Sequence, residues 1–195
     1  MHECSNIILA HSLLCPAVRE RVSSPPVTLR PLYVGGVFTK IGIRALHGWT
    51  HERLDMLLSH AGLLTPEEFV AEIPGFGAAS VRDQLSHAIQ CEQVWVRRLQ
   101  EIPWTALARE AEGTPDLLRQ AKQRIAAETI AYLDQLSDAE LNMELPHRPL
   151  DWSGPLRSPA FILHHVITHA FHHKGQIVAM FRLLGYPAPD TDLQQ

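Results

Sequence analysis

His165-Val166-Ile167-Thr168-His169-Ala170-Phe171-His172-His173-Lys174-Gly175-Gln176 carries most of the chemistry that this chain displays in its sequence. Five of the 12 histidines fall between His164 and His173. The segment lies inside a helix-period pattern. Ser158-Pro159 supplies a capping hydroxyl and a proline for the first helical position, and Gly185, Pro187 and Pro189 stop the helix just past Leu184. At about 100° per residue, with His165 at zero, His169 falls at about 40° and His173 at about 80°. The apolar stripe of the same helix (Met180, Val166, Leu184, Ile177, Ala170 and Phe181) runs from about 60° to about 160°. His169 and His173 therefore lie on or beside the face that must turn inward. His164 and His172 lie further from it, and His165 is intermediate.

Histidines four apart on a helix have Cβ atoms about 5–6 Å apart, so their rings can converge on one ion at about 2.0–2.1 Å per Zn–N bond. Without an ion the two rings repel when protonated and need separate hydrogen-bond partners. An HxxxH pair taken alone is more often two satisfied histidines than a metal site. Here the pair sits on a core face with Gly175-Gln176 directly after it.

Working outward, the apolar spacing predicts three more long helices. The first runs from about Ile41 to Ala61, where Gly62 closes it, and carries Leu46, Trp49, Leu54, Leu57, Leu58 and Ala61 at three- and four-residue steps. Thr65-Pro66-Glu67-Glu68 reads as a capped helix start. The second long helix runs from about Ser80 to Glu101, with the seam Val81, Leu85, Ala88, Trp95 and Leu99, and Ile102-Pro103 ends it. The third starts at Thr114-Pro115-Asp116 and reaches about Leu136, with Leu117, Ala121, Ile125, Tyr132 and Leu136 as its stripe. Ser137 to Glu140 caps one further turn, and Pro146 to Pro155 reads as a structured loop or short hairpin. Together these predict an all-α chain, a four-helix bundle over residues 41–195. Residues 1–40 hold Ser23-Ser24-Pro25-Pro26 and Gly35-Gly36 and few acids, and read as an N-terminal extension, disordered or the product of a wrongly chosen start codon.

A site in a bundle core takes ligands from facing helices. The second helix offers His87, which borders its own apolar seam. Glu92 stands in the middle of that seam, where a buried carboxylate needs a cation or a donor. It is either a partner of a ligating imidazole or of metal-bound water, acting as proton acceptor, or one half of a salt bridge to Arg53, Arg97 or Arg98. Cys91 is either a soft ligand or a packing residue. His47 and His51 form a rival HxxxH pair at positions that look exposed. No HExxH is present, and the lone ExxH, Glu144 to His147, contains Pro146 and falls in a loop. Phosphate loops and nucleophile elbows are absent as well.

Composition narrows the function classes. Of 195 residues, 46% are hydrophobic and 19% charged, enough for a core and against wholesale disorder. The net charge of −4 argues against a general nucleic-acid binder. No apolar run approaches the roughly 20 residues of a membrane span. Three cysteines without a CxxC argue for a reducing compartment, hence a cytoplasmic protein.

The run from His165 to Gln176 resembles the HxxxHxxHHRGQ signature of the DinB/YfiT-like proteins, with Lys174 in place of arginine. The ending Leu183-Leu184-Gly185-Tyr186-Pro187-Ala188-Pro189-Asp190-Thr191-Asp192-Leu193 is similar to theirs too. Ser80 to His87 followed by Glu92, Trp95 and Arg98 resembles their second helix, and Trp49 to Leu54 their first. The resemblance covers about residues 41–193. It implies a four-helix bundle, often dimeric, with one divalent ion per chain held by His87, His169 and His173. Zn²⁺ or Ni²⁺ suits that donor set. Relatives include metal-dependent hydrolases and thiol-transferases that use low-molecular-weight thiols. The expectation is therefore a divalent-metal-dependent enzyme of one of these types acting on a small molecule. The alternative is a non-catalytic metal- or small-ligand-binding stress-response protein. A homodimer is expected through the outer side of the last helix, where Ile167, Phe171 and Val178 extend the apolar surface beyond the core stripe.

Overall fold

The computed structural model describes residues 37–149, 152 and 154–193, and among these every regular element is helical. The helices are α1 (Lys40–Ala61), α2 (Pro66–Val70), α3 (Val81–Leu99), α4 (Pro115–Gln135), α5 (Asp138–Asn142) and α6 (Pro159–Leu183), with a 3₁₀ turn over Arg109–Glu112. Each start has a local cause. Thr39, Thr65, Ser80, Thr114, Ser137 and Ser158 each accept a hydrogen bond from a first-turn amide, and proline follows directly at α2, α4 and α6. The end of α6 is equally local. Gly185, at φ +86°, lets its own amide reach Arg182 and the Tyr186 amide reach Phe181. α3 stops at Leu99, two residues before the expected end, because Glu101 takes the same left-handed turn at φ 57°.

α1 and α3 each pack against both α4 and α6, whereas α1 and α3 meet only sparingly. They are therefore diagonal in a four-helix bundle. The core divides into two apolar clusters. One contains Leu54, Leu58, Leu85, Ile125, Ile177 and Phe181; the other contains Ile43, Trp95, Leu99, Leu133, Leu163 and Val166. Every long helix crosses from one cluster to the other. α1 and α6 run in one direction, and α3 and α4 in the opposite one. The connection from α3 to α4 must then return along the bundle. It does so against α3, with the Leu107 amide on Gln90 Oε1 (2.9 Å) and Glu112 accepting from Ser86 (2.6 Å) and Gln90 (2.7 Å). Between the two apolar clusters lies a polar layer built from His47, His51, His87, Glu92, Thr129, His169 and His173.

Several expectations change. In α4 the inward residue is Leu118; Leu117 is 37% exposed. Ile167 is only 5% exposed within the single chain, Val178 packs against the core, and Phe171 faces Thr50 and Arg53 of α1. Of the expected dimer face, Ile167 is thus covered within the chain, whereas Phe171 and Val178 stay partly exposed. Most of the N-terminal extension, residues 1–36, lies outside the described residues, and so do Leu150, Asp151 and Ser153 of the Pro146–Pro155 connection. No strand pairing forms in the rest of that connection.

Phe38 to Lys40, placed with the extension by composition, are tied to the bundle. The Phe38 amide donates to Asn142 Oδ1 (3.1 Å), and the Lys40 amide donates to Asp138 Oδ1 (2.7 Å). A chain beginning at residue 41 is therefore expected to be less stable than one beginning at residue 37 by roughly 2–3 kcal/mol. That sums one helix cap and two part-exposed hydrogen bonds. Urea unfolding of the two truncations measures it, and equal midpoints would show that these contacts contribute nothing.

Candidate metal centre

His87 comes from the middle of α3, and His169 and His173 come from successive turns of α6, the helix packed most extensively against α3. Their ring centroids lie 5.1 Å (87–169), 4.7 Å (87–173) and 4.4 Å (169–173) apart. One ring nitrogen from each lies within 4.8 Å of the other two. His173 is buried, and the other two are half-buried.

The orientation of His173 follows from Gln84, a fully buried glutamine one turn before His87. The Gln84 amide nitrogen donates to the Ala78 carbonyl (2.7 Å), which leaves its oxygen facing His173 Nδ1 at 2.5 Å. An oxygen in that place requires His173 Nδ1 to carry the proton and donate it, so the lone pair is on Nε2. That Nε2 stands 3.2 Å from His169 Nε2. Burial, with smaller effects from His87, His165 and His172, pushes His169 down to about 3. His169 is therefore neutral at ordinary pH, and its Nδ1 is buried without a hydrogen-bond partner. Two nitrogens bound to one tetrahedral ion at 2.0–2.1 Å stand about 3.3 Å apart, close to the spacing found. The residues fit a divalent ion. An aromatic wall continues from this cluster: His165 lies 5.6 Å from His169 and 5.4 Å from Trp95, and Trp95 meets Trp152 at 4.9 Å.

The DinB family model matches residues 45–195. The chain belongs to the DinB family. Protein YizA of Bacillus subtilis (strain 168), itself uncharacterized, is 31% identical over 121 residues, which is 62% of this chain and 74% of YizA. A DinB-like protein of Bacillus cereus ATCC 10987, known from its crystal structure, is 18% identical and superposes with a TM-score of 0.59. The match covers 77% of this chain and 95% of that one, and at this identity it speaks for the fold.

Within this DinB-family bundle, Glu92 does not join the three histidines. It lies about 140° round α3 from His87 and faces α1 and α4 instead. His47 Nε2 meets its Oε1 at 2.7 Å, His51 Nε2 its Oε2 at 2.9 Å, and the Thr129 hydroxyl donates to Oε1 at 2.5 Å. Burial pushes this carboxyl up. The hydrogen bonds from His47 and His51 and their electrostatic pull outweigh burial and hold it well below the usual carboxylate range. None of the three arginines considered from the sequence is its partner. Arg97 pairs with Glu128, Arg53 lies nearest Glu52, and Arg98 covers the Trp95 ring. His47 and His51 are 5% and 8% exposed, which corrects their reading as surface positions. The signal was present in the spacing: His47, His51, Leu54 and Leu58 step by four, three and four along one face. Gln84 was missed in the same way, as a polar residue on the seam of its helix. Cys91 is buried in the apolar cluster with Trp95 and stands outside both histidine groups. No helix of the described residues is long and apolar enough to cross a membrane.

Proposed function

We propose that His87, His169 and His173 hold one divalent ion, Zn²⁺ or Ni²⁺, and that this DinB-family protein is a metal-dependent enzyme acting on a small molecule. The chemistry proposed is hydrolysis or transfer involving a low-molecular-weight thiol. The observation that supports this most is the pair of Nε2 atoms 3.2 Å apart, one of them oriented by Gln84, with the His87 ring beside both. Three neutral imidazoles leave a four-coordinate ion with an open position, as catalytic rather than structural sites do. When bound, such an ion supplies Lewis acidity that favours the deprotonated form of a water or thiol. The chain's own contributions are positional. Gln84 fixes the His173 tautomer, burial keeps His169 neutral, and the Trp95–His165 wall limits water on one side.

A second reading, a non-catalytic metal-binding protein, is favoured by one observation. Both Glu92 oxygens are engaged by His47, His51 and Thr129, which argues against Glu92 as this ion's proton acceptor. Elemental analysis of protein never exposed to chelator, followed by a panel of esters and thiol cofactors, separates the two readings. Homodimerisation belongs to the proposal, through the outer side of α6 where Phe171 and Val178 stay partly exposed.

Gln84 provides a sharper check. Gln84→Leu removes the acceptor at His173 Nδ1 and is expected to weaken metal binding about 10–100-fold, as loss of an orienting partner typically does. Gln84→Glu keeps an oxygen there but sets a second one against the Ala78 carbonyl, so its affinity is expected to fall between those of wild type and Gln84→Leu. Chelator competition measures both. Equal affinities for Gln84→Leu and wild type would show that the orientation of His173 is set elsewhere.

A further inference from the structure

We infer that His47, His51 and Glu92 form a second divalent-cation site, distinct from the three-histidine cluster and approached from the groove between α1 and α4. The inference stands independently of the three-histidine reading, since it shares no residue with it.

The HxxxH spacing on α1 places His47 and His51 on successive turns with ring centroids 4.1 Å apart. Glu92 enters from α3, the diagonal helix, and presents one oxygen to each Nε2, at 2.7 Å and 2.9 Å. The potential ligand atoms all lie within 4.8 Å of one another. Two imidazoles and one carboxylate form a donor set that divalent zinc and iron take, harder than three imidazoles.

Charge and hydrogen bonding argue the same way. Glu92 is a fully engaged carboxylate in a buried layer, held by two imidazoles and one hydroxyl. Among the described residues no lysine or arginine forms an ion pair with Glu92. Lys122, a buried cation on α4, donates instead to Asp55 (2.8 Å) and to the His51 carbonyl (3.4 Å). A buried carboxylate is costly without a compensating positive charge, and a divalent ion would supply it.

Access is present. His47 and His51 line one wall of an open groove of about 550 Å³, with Gly48, Ala127 and Ala131 among its other lining residues. That is the size of a small-ligand site. Nothing lies within 4 Å of where a Gly48 Cβ would stand, so the glycine keeps the floor of the groove clear beside the two rings. The Arg44–Asp134 ion pair, at 2.5 Å and half-exposed on both sides, closes part of the rim.

The test is a Co²⁺ titration of chelator-stripped full-length protein, read by calorimetry and by the visible absorption of the bound ion. Wild type is expected to bind two equivalents, Glu92→Gln one, and the His169→Ala/His173→Ala double variant one, with a spectrum different from that left in Glu92→Gln. A wild type that binds one equivalent, unchanged in Glu92→Gln and lost in the double variant, would overturn the second site and leave the three-histidine reading standing. The opposite pattern, one equivalent lost in Glu92→Gln and kept in the double variant, would support the second site and remove the three-histidine reading. Should Glu92→Gln fail to fold, the double variant decides. Retention of one Co²⁺ equivalent supports the site, and binding of none overturns it.

Discussion

Restoring Zn²⁺ or Ni²⁺ to chelator-stripped protein is expected to raise the melting temperature by about 10 °C when the free ion stands near a thousand times its dissociation constant. A ligand that binds only the folded state adds about 4 kcal/mol at that ratio, and a domain of this size shifts by about 2–4 °C per kcal/mol. The imidazoles that would receive the ion come from α3 and α6, so binding ties together two helices that unfolding must separate. His173→Ala removes one Nε2 and the Gln84 contact together, and is expected to lose the part of the increment that the three-histidine cluster supplies at the same ion concentration. The comparison is between the two shifts, with and without ion, rather than between the two apo proteins, because the substitution also alters packing. A wild-type shift under 2 °C at millimolar ion would reject the three-histidine site. A shift undiminished in His173→Ala would assign the ion to another place.

Phe181→Ala is expected to cost about 3–5 kcal/mol, the range for deleting a fully buried aromatic side chain and leaving a cavity behind. Phe181 is entirely inaccessible and stands edge-on to His60 with ring centroids 4.6 Å apart. It belongs to the apolar cluster of Leu57, Leu58, Leu85, Ile177 and Met180, the end of the bundle towards which α1 and α6 both run. The melting temperature should fall by roughly 6–20 °C. Because the histidine layer lies between this cluster and the other one, the variant that does fold should still take up metal. Urea denaturation measures the stability change and elemental analysis the metal. A loss under 1 kcal/mol would mean that the cluster closes over the gap. Loss of metal along with stability would mean that this apolar end and the histidine layer are a single cooperative unit.

The helix starts were legible in the sequence because capping is local. A serine or threonine oxygen bonds an amide two or three residues on, and a proline at the first position lacks only an amide hydrogen that would go unused. The same locality made His169 and His173 readable as a pair, since four residues of one helix bring two rings together whatever else the chain does. His87 could be put on the inner face of its helix, and family resemblance supplied the reason to join it to the other two. What the sequence could not settle is which helix each inner face meets. Periodicity belongs to one helix, whereas the neighbours around it are set by how all four pack. Glu92 was visible as a carboxylate in an apolar seam, but its partners His47 and His51 lie 45 and 41 residues away on the diagonal helix. The apolar back of α6 suggested a surface for a second chain, and only the packed bundle shows that Ile167 is covered within the chain while Phe171 and Val178 stay partly exposed. Leu117 and Leu118 differ by about 100° around α4, and it took the position of α1 and α3 to turn Leu118 inward. Local hydrogen bonding is encoded residue by residue; the azimuth of each helix, and with it the meeting of side chains from different helices, exists only once the core has closed.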